Sequence, residues 1–306
     1  MVKALVFEGH KVRILDNNSR GGIHRLTSVL DDVEFIEGDI RAFATVSKAV
    51  KGTDVVCHLA FINGTEFFYQ RPALVLDVGV KGMIHVLDAC KEHSVGELIT
   101  ASSSEVYQSP PQVPTDETVP MTVPDAMNPR YSYSGGKLIS ELMTINYGRA
   151  HFQRAIIFRP HNVYGQDMGF EHVIPQLATR AGKLIRAQPD GIIPFEIQGD
   201  GSETRAFVHI ADFTAGLMTV LEKGEHLNIY HIGNDEEVSI RTVVEYMFDH
   251  LKRDYTIEAG KLLKGSTRRR CPNINKLKAL GYAPKFSLKE GIGEVIDWYV
   301  NHSKKE

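Results

Sequence analysis

Residues 97–107, ELITASSSEVY, place a short apolar strand directly before a run of hydroxyl and carboxylate side chains. Four other short runs are rich in β-branched and apolar residues, and helical stretches separate most of them: 11–16, 33–39, 54–60 and 154–159. Strands that alternate with helices are typical of a parallel sheet covered on both faces. The pattern predicts an α/β fold, a doubly wound parallel sheet, with a smaller mixed α/β region.

Two longer stretches have the apolar period of a helix, residues 72–93 and 133–148. After Gly165 the regular alternation stops, and shorter helices and strands follow. We expect residues 1–167 to form one domain, with 205–235 returning to it. Residues 168–306 are expected to form mainly a second domain.

The composition excludes several classes of protein. With 42% hydrophobic and 24% charged residues among 306, the chain is typical of a soluble globular protein. A net charge of −3 gives no basic field for nucleic acid. Three widely spaced cysteines show neither a zinc pattern nor a disulfide framework, so we expect no metal and a cytoplasmic location. No apolar run is long enough to span a membrane.

The first chemical feature is the pair Tyr133 and Lys137, which lie one helical turn apart on the same face. A neighbouring ammonium lowers the pKa of a phenol, and the phenolate that it stabilises can accept a proton from a sugar hydroxyl. The same spacing also occurs by chance as a surface tyrosine beside a solvated lysine. The pair alone therefore leaves both interpretations open.

Polar residues at the ends of predicted strands favour the catalytic interpretation. Ser102–Glu105 follow the strand at 97–102, and Arg159–Gly165 follow the strand at 154–159. Ligands of doubly wound sheets bind outside the carboxyl ends of the strands. Two later arginines, Arg205 and Arg270, could bind a diphosphate, because a guanidinium fork matches phosphate oxygens. Taken singly, each arginine is more often a surface ion-pair partner.

Seven ordered blocks resemble the extended short-chain dehydrogenase/reductase family, in particular NAD-dependent nucleotide-sugar epimerases, dehydratases and decarboxylases. The blocks lie along most of the chain: 15–17, 38–40, 58–60, 103–107, Tyr133 with Lys137, 159–165 and 204–212. The resemblance implies an enzyme with NAD as cofactor, a nucleotide-diphosphate sugar as substrate and a homodimer packed through residues 72–93 and 133–148. It also implies a Rossmann-like doubly wound parallel sheet, with residues 1–167 as the NAD-binding domain and 168–306 as mainly the substrate domain.

The resemblance also implies roles for individual residues. The cofactor would contact two groups, the adenosine set Asp16, Asn17, Asp39 and Ile40, and a set near the phosphates and nicotinamide, His58, Leu59, Ala60, Tyr133, Lys137 and Pro160. Asp16 favours NAD over NADP, because a 2′-phosphate would meet its negative charge. Catalysis would use Tyr133 as base, with Lys137, Ser103, Ser104 and Glu105. The substrate diphosphate would contact Asn162, Arg205 and Arg270. Phe195 and Phe207 would lie near the nucleoside base of the substrate.

The same resemblance leaves the reaction open. A 4-epimerase needs only the tyrosine, serine and lysine, whereas Ser103-Ser104-Glu105 and Pro129-Arg130 are similar to UDP-glucuronate decarboxylases and GDP-sugar dehydratases. We expect a 4-epimerase first, with decarboxylation or dehydration as the alternative. A catalytically silent nucleotide-sugar binding protein and a redox enzyme on a non-nucleotide substrate are further alternatives.

The chain departs from the family pattern at its front. Residues 1–9 resemble the second half of the family's first helix, and no GxxGxxG or GxGxxG spacing occurs in the sequence. The amides of that loop normally hold the cofactor pyrophosphate, so NAD binding is an open question. A start codon assigned about 15–25 residues too late would explain the difference. Alternatively, the strand at 11–16 closes against the strand at 54–60, or this front part packs loosely.

Smaller departures lie near the expected nicotinamide. Gly79 stands where the family usually has an asparagine, and Phe61 replaces a small residue after His58-Leu59-Ala60. Gln108 and Gln166 replace a common glycine and proline. We therefore expect cofactor contacts to differ more from the family than substrate contacts.

Overall fold

The computed structural model describes residues 1–261 and 267–302. They belong to two compact units. The first contains Met1–Gln108, Pro120–Pro160 and Thr214–Tyr230, and the second contains Ser109–Val119, His161–Phe213 and His231–Glu306.

Up to Pro160, helices and strands alternate as the sequence predicts. In chain order they are α1 (Val2–Phe7), β1 (Val12–Asp16), β2 (Val33–Glu37), α2 (Phe43–Val50), β3 (Val55–His58), α3 (Thr65–Gln70), α4 (Pro72–Leu76), α5 (Gly82–Glu92), β4 (Glu97–Ala101), α6 (Tyr131–His151) and β5 (Arg154–Pro160). The five strands predicted from composition are confirmed, each within about two residues at either end.

After Pro160 the helices and strands no longer alternate regularly. They are β6 (Val163–Tyr164), α7 (Val173–Ala187), β7 (Ile193–Gln198), β8 (Thr204–Ala206), β9 (Val208–His209), α8 (Ile210–Lys223), β10 (Asn228–Ile232), β11 (Glu237–Ser239), α9 (Ile240–Leu251), β12 (Tyr255–Gly260), β13 (Arg269–Arg270), α10 (Asn275–Lys278) and α11 (Leu288–His302).

The central sheet of the first unit has the strand order β10-β5-β4-β3. β4 pairs in parallel with β3 on one side and with β5 on the other. Leu98 and Ile99 of β4 have no exposed surface, because helices cover both faces of the sheet. The carboxyl ends of these strands therefore meet at one edge, where the predicted catalytic residues follow β4.

The front of the chain forms a separate two-stranded sheet. β1 pairs in parallel with β2, with Val12 opposite Val33. Within residues 1–261 and 267–302, no strand joins this pair to the four-stranded sheet. The expectation that the strand at 11–16 closes against the strand at 54–60 is therefore wrong. Val55 of β3 is 40% exposed, which is consistent with a strand that has a partner on one side only.

The predicted helix over 72–93 contains a local irregularity. α4 and α5 are joined by a π-type turn, Asp77–Lys81, with Gly79 at its middle. A π-type turn widens a helix by one residue, and such turns are frequent at functional sites. This one places the Gly79 backbone against an aromatic side chain described below.

The second unit has its own apolar core. The helices α7, α9 and α11 pack against the parallel pair β7 and β12. In β7, alternate residues Ile193, Phe195 and Ile197 face this core. A second small sheet has the order β11-β8-β13 and carries both predicted phosphate-binding arginines.

Candidate active site

Helix α6 presents Tyr133 and Lys137 on one buried face. Tyr133 is 7% exposed and Lys137 is 3% exposed. The Lys137 ammonium donates a hydrogen bond of 2.7 Å to the carbonyl of Ala101, the last residue of β4, and lies 6.0 Å from the centre of the Tyr133 ring. Burial lowers the pKa of Lys137 to about 7, and the nearby Glu141 carboxylate partly opposes that effect. The interpretation as a solvated surface pair is therefore wrong.

The serine-rich turn after β4 is held by local hydrogen bonds. Ser103 Oγ accepts a hydrogen bond of 3.2 Å from the Glu105 amide and caps a single helical turn over Ser104–Tyr107. Ser104 is buried, whereas the Glu105 side chain is about a quarter exposed. One carboxylate oxygen of Glu105 lies 3.9 Å from the Arg130 guanidinium. Of the two predicted catalytic residues Ser104 and Glu105, Glu105 is the more exposed.

A buried ion pair that sequence reasoning missed lies beneath this turn. The Arg159 guanidinium donates to both carboxylate oxygens of Glu141, at 2.8 and 2.6 Å, and to the Tyr107 hydroxyl. Ser102 Oγ donates to the same carboxylate. The network connects β4, β5 and α6, so it fixes the helix that carries Tyr133 and Lys137. A carboxylate one turn after a catalytic lysine was the available signal in the sequence.

Two phenylalanines enclose the catalytic pair. The Phe68 ring stacks on Tyr133 at 4.8 Å between ring centres, and the Phe61 ring meets Tyr133 edge-on at 5.3 Å. The Lys137 ammonium lies 4.1 Å from the centre of the Phe61 ring. Phe61 therefore lies against the group that the family resemblance assigns to the nicotinamide ribose.

The predicted adenosine-binding residues lie at the carboxyl ends of β1 and β2. Asp16 is exposed and accepts a hydrogen bond of 2.7 Å from the Asn18 amide. Asp39 is bound by Arg41 at 2.7 Å and lies 3.4 Å from the Asn17 amide group. Hydrogen bonds from Arg41 lower the pKa of Asp39 to about 2, so this carboxylate is ionised at neutral pH.

The other predicted cofactor residues divide into buried and exposed groups. Ile40 and His58 are buried, whereas Leu59 and Ala60 are exposed and Pro160 is intermediate. Burial and the Lys137 charge lower the pKa of His58 to about 3, so its ring is neutral at pH 7. The Nε2 atom of His58 has no hydrogen-bond partner in the described part of the chain.

These residues fit NAD at one end better than at the other. Asp16 and Asn17 offer acceptor and donor groups to an adenosine ribose in an exposed position. The sequence has no glycine-rich loop that would present amides to the pyrophosphate. At the other end the Phe61 ring lies over the buried Lys137 ammonium, at the group that the family resemblance assigns to the nicotinamide ribose.

The second unit brings together two pairs of the predicted substrate residues. Arg205 and Arg270 are register partners in the parallel strands β8 and β13. The Asn162 side chain donates a hydrogen bond of 3.0 Å to the Ala206 carbonyl, and Asn162 and Phe207 line a small hollow that is partly open to solvent. Phe195 is placed elsewhere, in the core with no exposed surface, where a ligand has no access to it.

Within the described residues, no cluster of histidine, cysteine or acidic side chains is arranged to hold a metal ion. No helix in residues 1–261 and 267–302 combines the length and apolar character needed to cross a membrane.

A parallel sheet with a buried tyrosine–lysine pair beside its carboxyl edge defines a Rossmann-type α/β protein, the fold class predicted from the sequence. Residues 1–233 match the model of the NAD dependent epimerase/dehydratase family, and the chain belongs to that family.

Curated relatives and solved structures agree with this assignment. A putative UDP-glucose 4-epimerase of Methanocaldococcus jannaschii is 28% identical over 99% of this chain and 95% of its own length. UDP-glucuronic acid decarboxylase 1 of Arabidopsis thaliana is 26% identical over 100% of this chain and 68% of its own. The structure of dTDP-glucose 4,6-dehydratase from Streptomyces venezuelae with NAD and TYD bound has a TM-score of 0.83 at 26% identity, covering 98% of this chain and 92% of that one. The family is NAD-dependent, and all three names are those of enzymes, as the sequence predicted.

Proposed function

We propose that this protein is an NAD-dependent nucleotide-diphosphate-sugar 4-epimerase that acts through a transient 4-keto sugar. The observation that carries the proposal is the geometry of α6. It holds a phenol and an ammonium together in a buried position, and the ammonium is anchored to the end of β4 at 2.7 Å. Membership of the epimerase/dehydratase family supports the same chemistry.

The chain's own groups have distinct tasks in this proposal. The charged form of Lys137 stabilises the deprotonated form of Tyr133, and this phenolate takes the proton of the sugar 4-hydroxyl and becomes a neutral phenol. Bound NAD supplies a hydride acceptor. Asp16, Asn17 and Asp39 bind the adenosine part, and Lys137 binds the nicotinamide ribose. Ser103 positions the sugar hydroxyl, and Asn162, Arg205 and Arg270 bind the diphosphate.

A second reaction is favoured by one observation. Glu105 faces Arg130 at 3.9 Å, in the serine–serine–glutamate turn that resembles decarboxylases and dehydratases. Decarboxylation of a UDP-glucuronate after oxidation at C4 is therefore the alternative, and a GDP-sugar dehydratase is a further one. The aromatic cover over Lys137 favours a third candidate, a nucleotide-sugar binding protein that does not turn its ligand over.

Turnover with a panel of nucleotide sugars tests these candidates. Purified protein with added NAD is incubated with UDP-glucose, UDP-N-acetylglucosamine and UDP-glucuronate, and products are separated by chromatography while released carbon dioxide is trapped. The proposal expects a 4-epimer from at least one substrate and none from Tyr133→Phe. Carbon dioxide without epimer supports the decarboxylase instead. Nucleotide-sugar binding by calorimetry with no product from any substrate supports the silent binding protein.

We also propose a homodimer packed through α4, α5 and α6. The supporting observation is a set of apolar side chains on these helices that are 37–51% exposed: Leu76, Ile84, Ile139 and Leu142. Light scattering is expected to give twice the mass of the chain, and Leu142→Glu is expected to shift it to the monomer. A monomeric wild-type protein would contradict this part.

The proposed location is the cytoplasm. All three cysteines are free thiols, which suits a reducing compartment. Cell fractionation with a compartment marker tests it, and recovery in a secreted fraction would contradict it.

A further inference from the structure

The Phe61 ring sits in a recess formed by two glycines. A Cβ atom added to Gly79 would lie 2.2 Å from the tip of the ring, and one added to Gly136 would lie 2.9 Å from the same atom. Gly79 belongs to the π-type turn between α4 and α5, and Gly136 precedes Lys137 on α6. The absence of side chains at both positions gives the ring its place.

From this recess the ring contacts both members of the catalytic pair. Its centre is 4.1 Å from the Lys137 ammonium and 5.3 Å from the Tyr133 ring centre. An ammonium has three hydrogen-bond donors, and Ala101 accepts from one of them. The aromatic face takes the place of a further acceptor through a cation–π contact. Because Lys137 is only 3% exposed, a ligand hydroxyl that approaches from the side of the ring competes with Phe61 for the ammonium.

We propose that Phe61 is a gate over Lys137 and determines which ligands reach the catalytic pair. With the ring in its recess the gate is closed. A dinucleotide whose ribose hydroxyl binds Lys137 must turn the ring out of the Gly79–Gly136 recess. This inference rests on the proposed function for the identity of the ligand, but the cover over Lys137 is independent of it.

The connection that carries Phe61 permits such a rotation. Residues 59–64 join β3 to α3 outside any helix or strand, so a change at Phe61 breaks no strand pairing. Phe61 itself is partly exposed, and the adjoining Leu59 and Ala60 are exposed. The ring can leave its recess towards solvent, whereas Phe68, which is buried on the other side of Tyr133, stays in place.

Two substitutions open the gate by different routes. Phe61→Ala removes the ring. Gly79→Ala keeps the ring but places a methyl group within 2.2–3.1 Å of three of its atoms, so the ring must turn away. Gly135→Ala is the matched control, because its added Cβ would meet nothing closer than a Val123 methyl at 3.8 Å. Gly79→Ala and Gly135→Ala both put alanine into a helical segment, where alanine is favourable.

Chemical labelling of Lys137 tests the cover without any ligand. The folded proteins are treated at alkaline pH with a small acylating reagent that reacts with amines. Peptide mass spectrometry measures the rate of acylation of Lys137 relative to that of the exposed Lys51. Phe61→Ala and Gly79→Ala are expected to raise the relative rate about tenfold. Gly135→Ala is expected to match the wild type. Equal rates in wild type and Phe61→Ala would overturn the proposal. Should Phe61→Ala not fold, equal rates in wild type and Gly79→Ala would overturn it in the same way.

Calorimetric titration with NAD then tests the choice of ligand. Opening the gate is expected to tighten NAD binding about tenfold in both variants, because the binding-competent population rises. Equal affinity in all four proteins would overturn the role of Phe61 towards a dinucleotide. A third result is also informative: the variants are labelled faster than the wild type, and no protein binds NAD. That result would support the cover over Lys137 and contradict the NAD-dependent function instead.

Discussion

Replacing Glu141 by glutamine should destabilise the first unit strongly, because the buried charge of Arg159 then loses the carboxylate that neutralises it. Glu141 is 1% exposed and Arg159 is 2% exposed, and two hydrogen bonds of 2.6 and 2.8 Å join them. Burial alone would lower the pKa of Arg159, but the contacts with Glu141 and Tyr107 outweigh it and raise the pKa. Because an arginine guanidinium is not deprotonated in proteins, Arg159 stays charged when its partner becomes neutral.

The magnitude follows from two independent estimates. Unit charges about 4 Å apart attract by about 4 kcal/mol at an effective dielectric constant of about 20. Breaking a buried ion pair by removing one partner costs about 3–5 kcal/mol. At about 2–4 °C per kcal/mol, the melting temperature should fall by about 6–20 °C.

Thermal unfolding followed by circular dichroism measures this change. The matched control is Glu34→Gln, which breaks a pair with Arg13 of 2.6 Å whose side chains are 55% and 27% exposed. An exposed pair contributes about 1 kcal/mol or less, so the control should melt within about 4 °C of the wild type. Equal shifts for Glu141→Gln and Glu34→Gln would refute the reasoning.

Lys137, β1 and Asp39 each allow a further prediction. Between about pH 7 and 10.5 only the unfolded state keeps the proton of Lys137, so the unfolding free energy of the wild type, relative to that of Lys137→Met, should rise with pH by up to about 1.4 kcal/mol per pH unit. Urea titrations in which the two proteins have parallel pH profiles would contradict this. Amides of Val12–Asp16 should exchange with deuterium at least about tenfold faster than those of Glu97–Ala101, because β1 has a partner strand on one side only; similar protection by mass spectrometry would argue against the separate sheets. In Arg41→Gln the pKa of Asp39 should rise from about 2 towards 3.8, and a carboxyl NMR titration that stays near 2 would show that Arg41 is not the cause.

The sequence predicted the regular parts of the fold well, because they depend on local pattern. Apolar runs such as 97–102 and the helical period over 133–148 identify β4 and α6 without knowledge of the rest of the chain. The π-type turn at Asp77–Lys81 was not predicted, and its Gly79 packs against Phe61, a residue 18 positions earlier that local pattern does not connect to it. Likewise, pattern alone left open how the front strands pair, and the structure shows β1 paired with β2 alone among the described strands.

The candidate site was predicted in part for the same reason. Tyr133 and Lys137 are one helical turn apart in the sequence, so their place on one face of a helix could be predicted. In the structure both side chains are buried on α6. Phe61 and Gly79 were recognised as two separate departures from the family pattern. Only the structure shows that the Phe61 ring occupies the space left by the missing side chain of Gly79, and that the ring covers Lys137.

The most direct test of the central claim is the appearance of reduced nicotinamide during turnover. The Gly79→Ala variant, in which the Phe61 gate is open, is loaded with NAD and mixed rapidly with a nucleotide sugar that carries deuterium at C4. The absorbance of reduced nicotinamide is followed, and the products are analysed by mass spectrometry. We predict a transient absorbance that the deuterium slows, and its loss in the Gly79→Ala/Tyr133→Phe variant. Product formation with no reduced nicotinamide, or an unchanged transient in that double variant, would contradict the claim.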